Sequence, residues 1–273
     1  SIYSTNNAAE TQVKTLYLKY HGDDGQKQLT FNLFSNYGAS WDPTGKNILY
    51  TAITARGTRV FMQGFRPLRV KSVEVFFEWG STGRVFISKY VNRSNTDIYE
   101  YYLDGEKIYG MPTPKLRESD RLTKNSAIET EPALSPDGRY LALISDRTGS
   151  PQVYVHDMQR KKLTRITENG NYNVSPSWSP DGKFIAYASR RSGVSSIYRI
   201  DAKSKEENRV TPKNMNAESP SWSPDGSMIA FSGKKGGDWK IYYTLSSGGQ
   251  AVRLTNSKAG LQETMPSWGP SLR

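Results

Sequence analysis

A turn of the form aromatic-x-Pro-x-Gly recurs from one end of the chain to the other, and its period leaves few folds open. It reads Trp41-Asp-Pro-Thr-Gly45, Trp178-Ser-Pro-Asp-Gly182 and Trp222-Ser-Pro-Asp-Gly226, with Leu134-Ser-Pro-Asp-Gly138 replacing the aromatic. Trp79-Gly-Ser-Thr-Gly83 is a copy without the proline, and the last anchor is Trp268-Gly-Pro-Ser271. The anchors stand 38, 55, 44, 44 and 46 residues apart. Periods of this size belong to four-stranded propeller blades, which bury their faces against neighbouring blades.

Each period carries the same four pieces. Strand A ends at the anchor, as in Ser219-Pro-Ser-Trp222. Pro-Asp-Gly turns the chain, since Pro fixes φ and Gly tolerates positive φ. Strand B follows (Phe184 to Ala188, Met228 to Phe231, Tyr140 to Ile144), then strand C (Gln152 to Val155, Ser196 to Ile200, Lys240 to Tyr243). Strand D closes the unit at Leu163 to Thr167, Asn208 to Thr211 and Ala251 to Thr255. In the third period, Gly105 to Asp120 reads as an insertion between strands C and D, and in the second, Arg66-Pro-Leu-Arg-Val70 fills the place of strand D.

The two ends complement each other. Trp268 supplies only a strand A, while Ile2-Tyr-Ser-Thr5 resembles a strand B. The expectation is an all-β, six-bladed β-propeller, a single domain over residues 1–273. Pairing of the N- and C-terminal strands in one blade would close it and remove the exposed sheet edges.

Composition narrows the chemistry. The 273 residues contain no Cys and two His, which excludes disulfides, thiolate metal sites and a cysteine nucleophile. His156 and His21 are both expected in solvated turns. No apolar run is long enough to span a membrane as a helix, and no signal-peptide pattern opens the chain. The net charge of +11 suggests acidic partners or surfaces without naming one. The most basic and aromatic stretch, Phe61 to Phe77 with Arg66, Arg69 and Lys71, sits in strand positions, so nucleic-acid binding is not expected. There is no Gly-x-Ser-x-Gly elbow, no phosphate-binding loop and no dinucleotide fingerprint.

The Ser-Pro-Asp-Gly repeats, the run Ser145-Asp-Arg-Thr-Gly149, Gln152-Val-Tyr-Val155 and the ending Met265-Pro-Ser-Trp-Gly-Pro-Ser-Leu-Arg273 resemble the propeller of the TolB family. Members are periplasmic components of the Tol–Pal envelope system. The resemblance spans essentially the whole chain and implies a non-enzymatic scaffold that binds a Pal-type peptidoglycan-associated lipoprotein and supports outer-membrane integrity. It also implies a periplasmic location, with other Tol-system or acidic envelope proteins as further partners and a monomeric state. The family's N-terminal α/β domain has no counterpart here. The same repeat type occurs in propellers of prolyl-oligopeptidase-like and sugar-acting enzymes, which is the alternative reading.

Two sets of residues are candidates for binding a partner. Loops from strand D to the next strand A converge at the channel mouth and carry Glu129, Thr130, Glu131, Asn173, Glu218, Glu263 and Thr264. Thr130 and Glu131 fit the family's Thr-Glu-Pro pattern. No cofactor is called for, although several acids around one channel could hold a cation such as calcium. Antiparallel strands place the B–C turns at the same end. Those turns are basic in five periods, through Arg56, Arg93, Arg147, Arg190, Arg191, Lys234 and Lys235. The expectation is an outer basic ring around a more acidic mouth.

Overall fold

The computed structural model describes residues 2–7, 14–19, 25–30, 35–42, 47–54, 57–62, 73–79, 84–92, 94–103 and 116–269. Every regular element among them is a β-strand. In chain order they are β1 (Ile2–Asn7), β2 (Lys14–Lys19), β3 (Gln26–Gln28), β4 (Ser35–Trp41), β5 (Ile48–Thr54), β6 (Gly57–Met62), β7 (Val73–Trp79), β8 (Arg84–Asn92), β9 (Asn95–Leu103) and β10 (Leu116–Arg121). There follow β11 (Glu129–Leu134), β12 (Tyr140–Ser145), β13 (Gln152–Asp157), β14 (Lys162–Arg165), β15 (Asn173–Trp178), β16 (Phe184–Arg191), β17 (Val194–Asp201) and β18 (Glu207–Arg209). The last five are β19 (Asn216–Trp222), β20 (Met228–Lys234), β21 (Trp239–Leu245), β22 (Val252–Arg253) and β23 (Leu261–Ser267).

The blade count expected from the sequence is corrected. The described residues form five complete four-stranded blades, not six: β23-β1-β2-β3, β7 to β10, β11 to β14, β15 to β18 and β19 to β22. The remaining sheet, β4-β5-β6, has three strands, and the run read as its strand D, 66–70, lies outside the described residues. Closure as a hydrogen-bonded ring is corrected as well. β1 does pair antiparallel with β23, Thr5 opposite Glu263 and Asn7 opposite Leu261, but this completes one blade only. The strand ladders run within each sheet, and neighbouring sheets meet mainly through side chains, with isolated backbone links such as the Thr96–Ile128 bridge and the Asn173 amide to Pro151 O. The proposed insertion is shorter than read: β10 pairs with β9 from Leu116 onward. His156 is also corrected, since it lies inside β13 and is buried, and burial lowers its pKa.

The repeated turn is held by its own side chains. Ser135 Oγ donates to Asp137 Oδ1 at 2.5 Å, the Arg139 amide donates to that same oxygen, and the Tyr140 amide donates back to Ser135 Oγ. Ser179 with Asp181 and Ser223 with Asp225 repeat this arrangement. Gly138, Gly182 and Gly226 follow at φ near 70°, where a side chain would be strained.

A second device ties strand D to strand C. A threonine hydroxyl just past strand D accepts the amide of a strand-C residue: Thr123 from Ile98, Thr167 from Val153, Thr211 from Ile197 and Thr255 from Ile241, at 2.9–3.1 Å. Two residues earlier an arginine Nε donates to the threonine's own carbonyl, in Arg121, Arg165, Arg209 and Arg253. Each arginine thus caps a strand end as the strand-D ladder runs out.

Blades are joined by buried apolar side chains and by the anchor tryptophans. Ala142, Val153 and Val155 of one blade pack with Ile185, Tyr187 and Ile200 of the next. The indole N–H of Trp178 donates to Ala133 O, and that of Trp222 to Ser177 O, both at 3.0 Å and both reaching the preceding blade.

Two outcomes follow from these devices. Thr167→Val should leave the Val153 amide buried without a partner and cost about 1–3 kcal/mol in urea unfolding, whereas Thr164→Val, on the exposed face of β14, should stay within about 0.5 kcal/mol. The second concerns acid. The Ser223 hydroxyl is the main cause that holds the Asp225 carboxyl down at about 2, and the Ser135 hydroxyl likewise lowers Asp137. For Asp181 burial acts the other way and is outweighed by the Ser179 hydroxyl and Lys183. A depressed folded pKa gives stability that is present above the unfolded value of about 4 and lost as pH falls through the folded one. The thermal midpoint should therefore drop between pH 4 and 2, and Asp225→Asn should flatten part of that slope.

Candidate functional site

The central feature is a kink in strand A. Glu131, Ser175, Ser219 and Met265 adopt φ of 51–57° without being glycine, and Gly38 occupies the same place at φ 53°. Four of the five are followed by proline, Gly38 by Ala39. At each of them the A–B register shifts. A non-glycine residue in this region costs roughly 1–3 kcal/mol, so the surrounding structure must hold it. That hold is visible at two of the kinks. The Ser175 amide donates to the Glu131 carboxylate at 2.6 Å, across the boundary between blades, and the Met265 amide donates to Ser232 Oγ at 2.9 Å.

The kinked residues and the prolines after them enclose a cavity of about 260 Å³ on the axis, lined by Ser175, Ser177, Ser219, Ser221 and Ser267 together with Pro132, Pro176, Pro220 and Pro266. Among the described residues that line it, only Glu131 is charged.

Two residues before each of the four non-glycine kinks stands a buried side chain: Glu129, Asn173, Ala217 or Glu263. Three of these were expected at the mouth as partner-binding groups, and the structure places them inside the wall. Glu129 Oε1 accepts from Asn125 Nδ2 at 2.7 Å, from Ser145 Oγ and from the Arg147 guanidinium. Asn173 Nδ2 donates to Gln152 Oε1 at 2.7 Å, and Gln152 also accepts the Thr167 hydroxyl. Glu263 accepts the Thr255 hydroxyl at 2.5 Å and lies 4.0 Å from Lys240 Nζ. Lys240 is buried too, which lowers its pKa, with Glu263 acting in opposition. It donates to Ser257 Oγ and to the carbonyls of Lys258 and Leu261, and so straps the loop that leads into β23.

The residues one step nearer the kink are half-buried: Thr130, Val174, Glu218 and Thr264. Thr130 Oγ1 donates to Ser88 Oγ of the preceding blade. Among the described residues no group of three or more His, Asp or Glu side chains is gathered in one place.

The basic set divides as well. Arg147 folds down onto Glu129 and over the Tyr154 ring. Arg191 pairs with Glu207 at 2.8 Å and lies 3.7 Å over the Tyr198 ring. Burial works against its charge, but Glu207 and Tyr187 outweigh it and raise its pKa. Tyr187 itself, buried and bonded to Glu207, is pushed well above the usual tyrosine range. Arg190 and Lys235 are exposed, and Lys234 is half-buried. Arg56 and Arg93 lie outside the described residues. Exposed cations also stand at the opposite end of the blades, in Lys161, Lys162, Lys203 and Lys205, so basic charge is not confined to the mouth.

What the sequence reading missed is apolar. Five of the eight large hydrophobic side chains exposed among the described residues lie at the mouth end, Ile53, Tyr90 and Val91 at the close of strand B and Ile128 and Tyr172 in D–A loops. A break in alternation at strand ends is the only signal the sequence offers for them.

These buried and half-buried acids differ in what they do, and mutation separates them. Glu129→Ala leaves Arg147 and Asn125 without their acceptor and should cost about 2–4 kcal/mol of stability. Glu218→Ala should cost less than about 0.5 kcal/mol. Urea midpoints measured side by side decide this.

The model of the TolB beta propeller domain family matches residues 7–272. Among solved structures, TolB from Acinetobacter baumannii aligns with a TM-score of 0.83 at 23% identity, over 99% of this chain and 66% of that one. A putative TolB from Agrobacterium tumefaciens aligns with a TM-score of 0.73 at 20% identity, over 98% and 94%. An oligogalacturonate lyase in complex with manganese aligns with a TM-score of 0.58 at 12% identity, over 94% and 73%. The chain thus spans just under two thirds of the Acinetobacter protein, and at these identities the structural likeness is one of fold.

Proposed function

Since the chain belongs to the TolB β-propeller family, we propose that it is a non-enzymatic protein-binding scaffold of the bacterial cell envelope. The partner we propose is a Pal-type peptidoglycan-associated lipoprotein, held at the channel mouth, with a role in outer-membrane integrity and a periplasmic location. One observation carries this reading. The end of the propeller where D–A loops and B–C turns emerge combines exposed apolar side chains, exposed cations and half-buried Thr130 and Glu218 over a wall of buried, hydrogen-bonded Glu129, Asn173 and Glu263, in which Glu129 Oε2 and Asn173 Oδ1 have no hydrogen-bond partner. A surface held in this way loses little conformational freedom on association, which favours binding.

Thr130, Glu131, Glu218 and Thr264 are the contact residues in this proposal, and Glu129, Asn173 and Glu263 position them. The test is a binding isotherm with the soluble domain of a Pal-type lipoprotein. Charge reversal Glu218→Lys with Thr130→Ala should weaken binding by about tenfold or more while leaving the unfolding midpoint in place. A parent chain that fails to bind the lipoprotein domain would sink the proposed partner.

A further inference from the structure

Strand B offers a common ruler for the mouth end of five of the six sheets. The strand-B residue opposite the last residue of strand A is Ile48, Val85, Leu141, Ile185 or Ile229. The fifth and sixth residues beyond it occupy the rim. In the blades of β16 and β20 they are Arg190-Arg191 and Lys234-Lys235. In the blade of β12 they are Asp146 and Arg147, the aspartate accepting the Ile128 amide at 2.8 Å. In the blades of β5 and β8 the same two positions hold Ile53-Thr54 and Tyr90-Val91.

The rim is therefore divided. At these positions the described residues are cationic in one sector, the blades of β16 and β20, and uncharged, mostly apolar, in the other, those of β5 and β8; beside them, exposed Lys124 lies in the D–A loop that carries Ile128, and exposed Tyr172 lies under Arg190. Ile53 is 45% exposed, Tyr90 50% and Val91 39%. Ile128, 41% exposed, joins the same sector: Tyr90 stands opposite Thr96, and Thr96 forms a parallel bridge to Ile128. β8 and β9, at nine residues each, are the longest strands described, so this sector is carried on an extended hairpin. The carboxylates beneath it are withdrawn from solvent, Asp97 in a pair with Arg121 and Glu129 in a pair with Arg147.

We infer that the divided rim fixes how a protein partner sits. The partner presents a two-sided surface that straddles the mouth. Its carboxylates face Arg190, Lys234 and Lys235, and its apolar side chains cover Tyr90, Val91, Ile128 and Ile53. Charge complementarity commits the cationic sector to an acidic surface. The cluster of exposed apolar side chains commits the opposite sector to a dry contact, since water must leave such a patch for binding to gain from it. The two halves act on different parts of association. Screened charges steer the approach and set its rate, whereas buried apolar area slows departure.

This inference rests on the protein-binding reading above, and one set of measurements separates the two. The probe is the soluble domain of a Pal-type lipoprotein, with association and dissociation rates followed from 20 to 500 mM salt. Tyr90→Ser with Val91→Ser and Ile128→Ser should speed dissociation about tenfold or more and leave the salt dependence of association unchanged. Arg190→Glu with Lys234→Glu and Lys235→Glu should slow association and flatten its salt dependence, with dissociation changed far less. If the parent binds and both triple variants bind like it, the divided rim is overturned and the scaffold reading stands. If both variants fail in the same kinetic step, the division of labour is wrong. If the apolar variant loses only adsorption to vesicles of 30% anionic phospholipid, the sector faces a lipid surface and the inference falls. A parent that does not bind the domain overturns the proposed partner, and this inference with it.

Discussion

Everything at the axis depends on a backbone conformation that most residues avoid. Strand A of five of the six sheets could run straight, and its ladder would then pair without a shift. Instead one residue takes φ above 50°, and a proline usually follows that cannot donate to the ladder. The bend turns the inner strand across the axis and exposes the backbone amide of the kinked residue. Neighbouring blades then satisfy that amide through the Glu131 carboxylate or the Ser232 hydroxyl. Strain and interface support each other: the kink is tolerated because an adjacent blade holds it, and the blades stay in register because the kink needs holding.

The same economy accounts for part of the basic composition. The sequence shows an excess of Lys and Arg that the family resemblance leaves unexplained. In the structure four arginines cap the carbonyl that ends strand D, and Arg147 and Arg191 pair with buried or half-buried carboxylates. A guanidinium suits this work, because it offers several donors in a fixed plane and stays charged when partly buried. These six arginines are consumed in building blades. Among the described residues, the cations that remain for a partner at the mouth-facing ends of strand B are Arg190, Lys234 and Lys235, in the blades of β16 and β20.

Much of the architecture was legible because it is periodic. Ser-Pro-Asp-Gly marks a turn whose side chains close on themselves, so it keeps its meaning wherever it occurs, and the pairing of Ile2–Asn7 with the closing strand could be read from the complementary ends. Less legible was anything that depends on neighbouring blades. Glu129, Asn173 and Glu263 look like loop polarity in a linear reading. Their partners are brought alongside by the fold: Asn125, Ser145 and Arg147 for Glu129, Gln152 for Asn173, and Thr255 and Lys240 for Glu263, from 4 to 23 residues away. His156 misled for a related reason. A His-Asp pair before a turn reads as solvated, but strand C runs two residues further than its apolar core and is covered on both sides.

Rigidity and adhesiveness are separated along each inner strand by a single residue. At one position the side chain is withdrawn and bonded, as in Glu129, Asn173 and Glu263, and at the next it is half-exposed, as in Thr130, Val174, Glu218 and Thr264. Alternation along a strand makes this unavoidable, because successive residues face opposite sides. A blade that must bury a polar group to hold its loop therefore presents the following residue to the mouth at no further cost in order. The wall fixes where Glu218 stands, and the kink one residue later fixes how far it leans over the channel. The binding surface is thus an outcome of the same strand geometry that holds the ring together, and a change that loosens the wall would be felt at the mouth before it is felt in the fold.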